Sequence, residues 1–236
     1  ETELMLADLE SLERRLEGVA KRARGGDEKA RAERALIERA LGALKEARPA
    51  RTAATAPGEA EAFELLQLLT TKPVLYVCNV DEAAIEGHAL TREVAAKADA
   101  EGAASVVISA ALEAEVAEIE DADERTAFLA ELGVKETGLA RVVRAGYGLL
   151  GLISFFTANA NEAHAWTIRR GTPAARAAGT VHSDFERGFI SAETVTYDDY
   201  VACGGEQGAK EAGRMRLEGR DHVAQDGDVI RFRFNV

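Results

Sequence analysis

The chain has 236 residues, enough for one large domain or two ordinary ones. It is 47% hydrophobic and 30% charged, the balance of a soluble globular chain with a core to bury. A formal net charge of −12 argues against non-specific binding of nucleic acid or anionic membrane by the whole surface, while leaving room for a local basic patch. No apolar run approaches the roughly 18–20 residues that cross a bilayer, and no signal-peptide pattern opens the chain. The two cysteines, Cys78 and Cys203, make neither a disulfide framework nor a metal cluster, so a reducing cytoplasm is the simplest expectation.

From Glu3 to about Arg24 the apolar positions Leu9, Leu12, Leu16 and Val19 step by three and four, the seam of an amphipathic helix. Gly25-Gly26 breaks it and Asp27 can cap a second helix running to about Ala47, with Leu36, Leu41 and Leu44 on its face. Two such helices around a short glycine turn predict a coiled-coil-like αα-hairpin, suited to touching a protein partner. The stretch 48–57, with Pro49 and Pro57 at its ends, is a linker by composition, and a short helix is expected over Glu59–Leu69.

Next comes Pro73-Val74-Leu75-Tyr76-Val77-Cys78-Asn79, an apolar, β-rich run that reads as a strand buried on both faces of a parallel sheet. A helix around Thr91–Ala100 separates it from a second strand of this kind, Ala104–Ile108, which ends in Ser109-Ala110. Open α/β sheets hold ligands at the carboxyl ends of their strands, so Asn79, Val80, Glu82, Ser109 and Ala110 stand where a binding loop belongs. The pair of strand ends resembles the base-reading end of GTPase-like domains, with Val80 in place of the usual lysine and Glu82 in place of the aspartate. An asparagine amide can donate to adenine N7 and accept from its N6 amine. The plain alternative is that Asn79 and Glu82 cap the following helix, and that Ser109 does the same for its own.

Acidic segments over Leu112–Glu120 and Asp123–Leu132 and a helix over Leu139–Leu149 complete this part. Gly146-Tyr147-Gly148-Leu149-Leu150-Gly151 matches the dinucleotide fingerprint, but it ends a helix and leads into a strand, the reverse of the order that places a pyrophosphate on a helix N-terminus.

Beyond Gly151 the texture turns to strands, Leu152–Phe156, Ala163–Ile168, Gly188–Val195 and Val229–Phe234, with helical pieces near Ala174–Ala178 and Tyr197–Cys203. Strand pairs interrupted by a helix predict a compact β-grasp module. Its basic candidates are Arg169, Arg170, Lys210, Arg214, Arg216, Arg220, Arg231 and Arg233; Arg231 and Arg233 alternate along one strand and share a face. Acidic residues are interleaved among them, so an ordinary mixed surface is the competing reading. His182 and Asp184 lack an accompanying nucleophile, and Trp166 reads as core rather than as a stacking platform for bases.

Ala165-Trp166-Thr167-Ile168-Arg169-Arg170-Gly171-Thr172, His182-Ser183-Asp184-Phe185-Glu186-Arg187-Gly188-Phe189-Ile190, Gly204-Gly205-Glu206, Ala209-Lys210-Glu211-Ala212-Gly213 and Gln225-Asp226-Gly227-Asp228-Val229 are similar to the TGS domain that ends YchF proteins. With Asn79-x-x-Glu82 and the helical hairpin, the whole chain resembles this Obg-like ATPase family. The resemblance implies an α/β plus α+β chain in three parts: a coiled-coil hairpin and linker over 1–57, the C-terminal part of a P-loop, GTPase-like nucleotide-binding domain over 58–150, and a TGS β-grasp domain over 151–236. It implies ATP as the nucleotide, with Mg²⁺ in the intact protein, and a ribosome or ribosomal RNA as the partner, with no sequence-specific DNA and no membrane. The basic residues of the TGS part would be phosphate partners, reading shape more than sequence. Neither a Gly-x-x-x-x-Gly-Lys-Ser/Thr loop nor the family's magnesium ligands and switch regions occur among these residues; Gly204 to Lys210 has the wrong spacing. The chain is therefore expected to be the C-terminal two-thirds of such a protein, with an adenine reader, no metal ligand and no catalytic residue of its own. A nucleotide-independent RNA- or protein-binding module is the alternative.

Overall fold

The computed structural model describes residues 1–53, 55–159 and 161–235. The chain divides into two compact units, Glu1–Pro73 and Val74–Val236. Among the described residues no helix is long and apolar enough to cross a membrane.

The first unit is a helical hairpin with a short return. Helix α1 (Thr2–Arg24) and helix α2 (Glu28–Lys45) meet across a turn in which Gly26 takes φ +95°, and Asp27 caps α2 by accepting from the Ala30 amide at 3.1 Å. The expected seam closes in the core: Leu12 and Val19 are buried against Leu36, Ile37, Ala40, Leu41 and Leu44, with Leu9 and Leu16 packed at its edge. Part of the compositional linker is packed as well. A 3-10 turn at Ala50–Thr52 puts Ala50 fully out of solvent. The expected Glu59–Leu69 helix is shorter: α3 (Ala60–Glu64) ends at a Leu65 cap, and Gln67 beyond it turns to φ +56°. Phe63, Leu66 and Leu68 all enter the same core, and their spacing fits no single helical face. Asp8, buried on α1, accepts from the amides of Leu69 and Thr70 at 2.8 Å each and from the Thr70 hydroxyl at 2.7 Å. Thr70 in turn accepts from the Ala50 amide at 2.9 Å, so one carboxylate organises three segments.

The second unit opens with β1 (Leu75–Asn79), α4 (Ala89–Glu101) and β2 (Ala104–Ile108), the two strands pairing in parallel from Leu75↔Ala104 to Asn79↔Ile108. Three helices follow, α5 (Ala110–Glu118), α6 (Ala122–Glu131) and α7 (Gly138–Leu149). The sheet departs from expectation in burial. No residue of β1 or β2 is fully buried and Val77 is 45% exposed, because among the described residues each strand pairs only with the other and the pair is not covered on both faces.

The remainder is a five-stranded mixed sheet. Strands β3 (Leu152–Ala158) and β4 (Ala163–Arg169) form a hairpin; helices α8 (Ala174–Val181) and α9 (Ser183–Arg187) cross to β5 (Phe189–Thr196). Helices α10 (Tyr197–Ala202) and α11 (Glu206–Glu211) precede the short β6 (Arg216–Glu218) and the final β7 (Asp228–Phe234). The order β4-β3-β7-β5-β6 sets the last strand parallel beside the first and antiparallel to β5. Alternation along the strands sends Ile153, Phe155, Ile230 and Phe232 to one face with the alanines of α8, and Phe156, Val195 and Val229 to the other with Ala209, Tyr200 and Cys203. The sequence signals missed α9, α11 and β6, which are too short to show a period. Trp166 is packed against the first of these cores and its Nε1 donates to Thr157 Oγ1 at 2.8 Å.

Candidate functional site

The parallel pairing of β1 and β2 brings their carboxyl ends side by side, and the ladder continues one step past the strand through Val80 N–H to the Ile108 carbonyl at 2.9 Å. Asn79 then reaches across: its Oδ1 accepts from the Ala110 amide at 2.9 Å. A backbone amide only donates, so this contact also fixes which way the side-chain amide is turned. The carbonyl faces Ala110, and the two Nδ2 hydrogens point away from it.

Ser109, fully buried, sits at the N-cap of α5 with Oγ accepting from the Leu112 amide at 3.5 Å. It therefore shapes the loop with its side chain and leaves Ala110, the first residue of α5, exposed beside it. On the other loop, Glu82 begins a 3-10 turn, Glu82–Ala84, and among the described residues its exposed carboxylate makes no hydrogen bond. The helix after β1 is capped not by Asn79 or Glu82 but by His88, whose Nδ1 accepts from the Leu90 amide at 3.1 Å. Asn79, Val80, Asp81, Glu82, Ala83, Ala84, His88 and Ala111 line a cavity of about 560 Å³ between the loops.

Asn79 Oδ1 turns one of its two lone pairs to Ala110, which orients the side-chain amide to donate away from that contact. Sequence reasoning missed His88 and Glu113. Glu113 on α5 accepts from the amides of Gly138 at 2.5 Å and Leu139 at 3.0 Å, tying the start of α7 to the loop-bearing helix. The one signal for His88 is its position before a helix with Thr91 three residues on, a pattern usually written with serine or threonine at the cap and glutamate or glutamine at the third position.

The basic candidates lie elsewhere in the second unit and are largely matched by acids. Arg231 and Arg233 do share an exposed face, but Arg231 pairs with Glu206 at 2.7 Å and Arg233 with Glu193. Arg214 lies 3.8 Å from Asp199; Arg216 lies 3.3 Å from Glu218 and 3.6 Å from the buried Asp228. Arg220 sits over the Phe189 ring. Arg169, Arg170 and Lys210 are exposed and make no ion pair among the described residues. His182 is a cap, accepting at Nδ1 from the Asp184 amide at 3.2 Å, and Asp184 is held below the usual carboxylate range by the Arg187 guanidinium. Gly146 and Gly148 lie inside α7 and Gly151 leads into β3, so the glycine pattern there presents no helix N-terminus. Among the described residues no three His, Cys, Asp or Glu side chains converge as a metal-ligand set.

Residues 152–235 match the family model YchF-GTPase_C, described as a protein of unknown function (DUF933). The chain is 48% identical over 235 residues to the ribosome-binding ATPase YchF of Haemophilus ducreyi, covering 100% of this chain and 64% of that protein. It is 46% identical over 240 residues to the ribosome-binding ATPase YchF of Bacillus subtilis, covering 99% and 64%. The solved structure of the Schizosaccharomyces pombe YchF GTPase superposes with a TM-score of 0.85 at 30% identity, over 98% of this chain and 64% of that one. The chain thus spans 64% of the length of these relatives. Over the length it spans, it belongs to the YchF family.

Proposed function

We propose that this chain carries the base-reading part of a ribosome-associated ATPase and prefers ATP to GTP. The observation that supports this most is the Asn79–Ala110 hydrogen bond of 2.9 Å, which ties the two strand ends together beside a cavity lined by the carboxylates of Asp81 and Glu82. Asn79 Nδ2 donates to a base acceptor, Glu82 accepts from an exocyclic amine, Val80 and the Ser109-Ala110 loop flank the ring. A guanine reader of this kind carries a lysine and an aspartate instead. The adenine end of ATP fits these residues; the phosphates and Mg²⁺ have no matching loop among them, and bound Mg-ATP would supply the transferable phosphoryl group. The 236-residue chain alone is therefore expected to release no phosphate from Mg-ATP above background in a purified assay.

The three-part organisation at 1–57, 58–150 and 151–236, with the five-stranded sheet as a TGS β-grasp domain, belongs to the same proposal. So do a cytoplasmic setting and contact with ribosomal RNA or protein through the hairpin and the TGS part. Arg169, Arg170 and Lys210 are the better phosphate partners, since Arg214, Arg216, Arg231 and Arg233 already face acids. Titration of the labelled chain with ATP and with GTP, followed through backbone amide resonances, tests the central point. The amides of Val80, Glu82 and Ala110 should move at lower ATP than GTP concentration. If neither nucleotide moves them while the chain still sediments with ribosomes, it acts as a nucleotide-independent binding module.

A further inference from the structure

We infer that His88 is a specificity-determining residue of the base cavity, its Nε2–H donating to the ring nitrogen that flanks the adenine N6 amine on the side away from N7. This rests on reading the cavity as an adenine site. The protonation of the ring follows from geometry. Leu90 N–H donates to His88 Nδ1 at 3.1 Å, so Nδ1 carries no hydrogen and the proton of the neutral imidazole sits on Nε2. No hydrogen bond to Nε2 exists among the described residues, and the half-buried ring lines the cavity with Asn79 and Glu82.

The ring is also held in place. His88 N–H donates to Thr91 Oγ1 at 2.8 Å, and the Thr91 hydroxyl donates back to the His88 carbonyl at 2.8 Å, a reciprocal cap on α4. Immediately before it, Gly87 has φ +95°, and a Cβ there would lie 2.8 Å from Thr91 Oγ1. The chain therefore enters the cap along a path that only glycine follows without displacing Thr91.

With Asn79 Oδ1 turned to Ala110, three of the cavity's polar groups read as donor, acceptor and donor: Asn79 Nδ2–H, the Glu82 carboxylate and His88 Nε2–H, with the Asp81 carboxylate lining the same cavity. The outer edge of adenine presents the complement, acceptor N7, donor N6 and acceptor N1. Guanine presents an acceptor where Glu82 accepts and an N1–H where His88 donates, so like meets like at both positions. A wrong base would leave paired-off polar groups without partners, which is where hydrogen-bonding sites acquire their discrimination.

The test uses the full 236-residue chain with ¹⁵N-labelled histidine, titrated with adenosine and with guanosine. The His88 Nε2–H resonance should shift saturably with adenosine, and guanosine should bind more weakly. His88→Asn keeps an N-cap acceptor but cannot place the ring donor, so the adenosine-to-guanosine preference should fall about five- to tenfold, the worth of one neutral hydrogen bond. His88→Ser, a second capping variant, should do the same. An Nε2 resonance that stays fixed while adenosine saturates overturns the inference, as does an unchanged preference in both variants; loss of binding in Asn79→Ala and Glu82→Ala alone would then leave the cavity reading standing. If neither nucleoside binds the unsubstituted chain, the cavity reading and this inference fall together.

Discussion

The carboxylate of Asp8 accepts from both the amide and the hydroxyl of Thr70, at 2.8 and 2.7 Å, across 62 positions of sequence. Asp8 is 3% exposed and Thr70 2%, so neither can turn to water instead. Asp8→Ala would leave the Thr70 amide and hydroxyl buried with a lost partner, and would also remove the half-buried bond from the Leu69 amide. The expected cost is about 3 kcal/mol of first-unit stability, the range for breaking a buried charged hydrogen-bond set. Amide hydrogen exchange checks it: protection at Leu69 and Thr70 should collapse before that of the Leu36–Leu44 seam.

Asp228 gives the second unit a pH dependence. Burial pushes its carboxyl above its ordinary value of 3.8, against the opposing pull of the Gln225 amide and of Arg216 and His222. The folded state therefore holds the proton more tightly than the unfolded chain. Protonation favours the fold at low pH, and that contribution is lost as pH rises from about the unfolded value through the raised folded one. Asp228→Asn keeps an acceptor for Gln225 without the charge. It should be the more stable chain at pH 7, and its advantage should shrink as pH falls towards 3.8. Paired thermal unfolding curves across that range decide it; a constant difference would mean burial is not the dominant cause.

Periodicity made much of this legible. The steps Leu9, Leu12, Leu16, Val19 announced α1, and the apolar runs before Asn79 and Ser109 announced the parallel pair that carries the cavity. What stayed hidden was polar and non-local. Asp8 on a charged helix reads as solvated until Thr70 is folded against it. Arg231 and Arg233 read correctly as sharing a face, but Glu206 and Glu193, which face them, lie 25 and 40 positions away. His88 escaped notice because histidine is not a preferred cap, and only the fold brings it to the cavity that Asn79 and Glu82 line.

Asn79 is predicted to do two separable things. Asn79→Asp retains an oxygen for the Ala110 amide and removes the amine that faces a base; Asn79→Ala removes both. Each variant should weaken binding of an adenine nucleoside, by about tenfold for the loss of one hydrogen bond to the base. Only Asn79→Ala should also lower second-unit stability, by about 1 kcal/mol, because only there is the hydrogen bond that joins the two strand ends lost. Chemical denaturation beside nucleoside titration separates the effects. Equal stability of the two variants would show that the Ala110 contact carries no weight.

Base choice is the sharper question, because relatives of this chain are named both as ATPase and as GTPase. Glu82 has an uncommitted carboxylate at the start of a 3-10 turn, and Val80 has its amide in the ladder and its side chain on the cavity wall. Replacing Glu82 by Asp and Val80 by Lys shortens the acceptor towards guanine's N1 and N2 donors and supplies an aliphatic stem beneath the base. Preference should move from ATP towards GTP. Sites that hydrogen-bond their ligand discriminate by up to roughly 10⁴-fold, and two substitutions should recover only part of that, since the turn at Glu82–Ala84 also sets where a carboxylate can reach. His88 Nε2–H would still oppose guanine N1–H, so adding His88→Asn to the pair should carry the shift further. Calorimetric titration with both nucleotides measures it. An ATP-to-GTP affinity ratio that stays the same through the double and triple variants would mean that Asn79-x-x-Glu82 does not read the base.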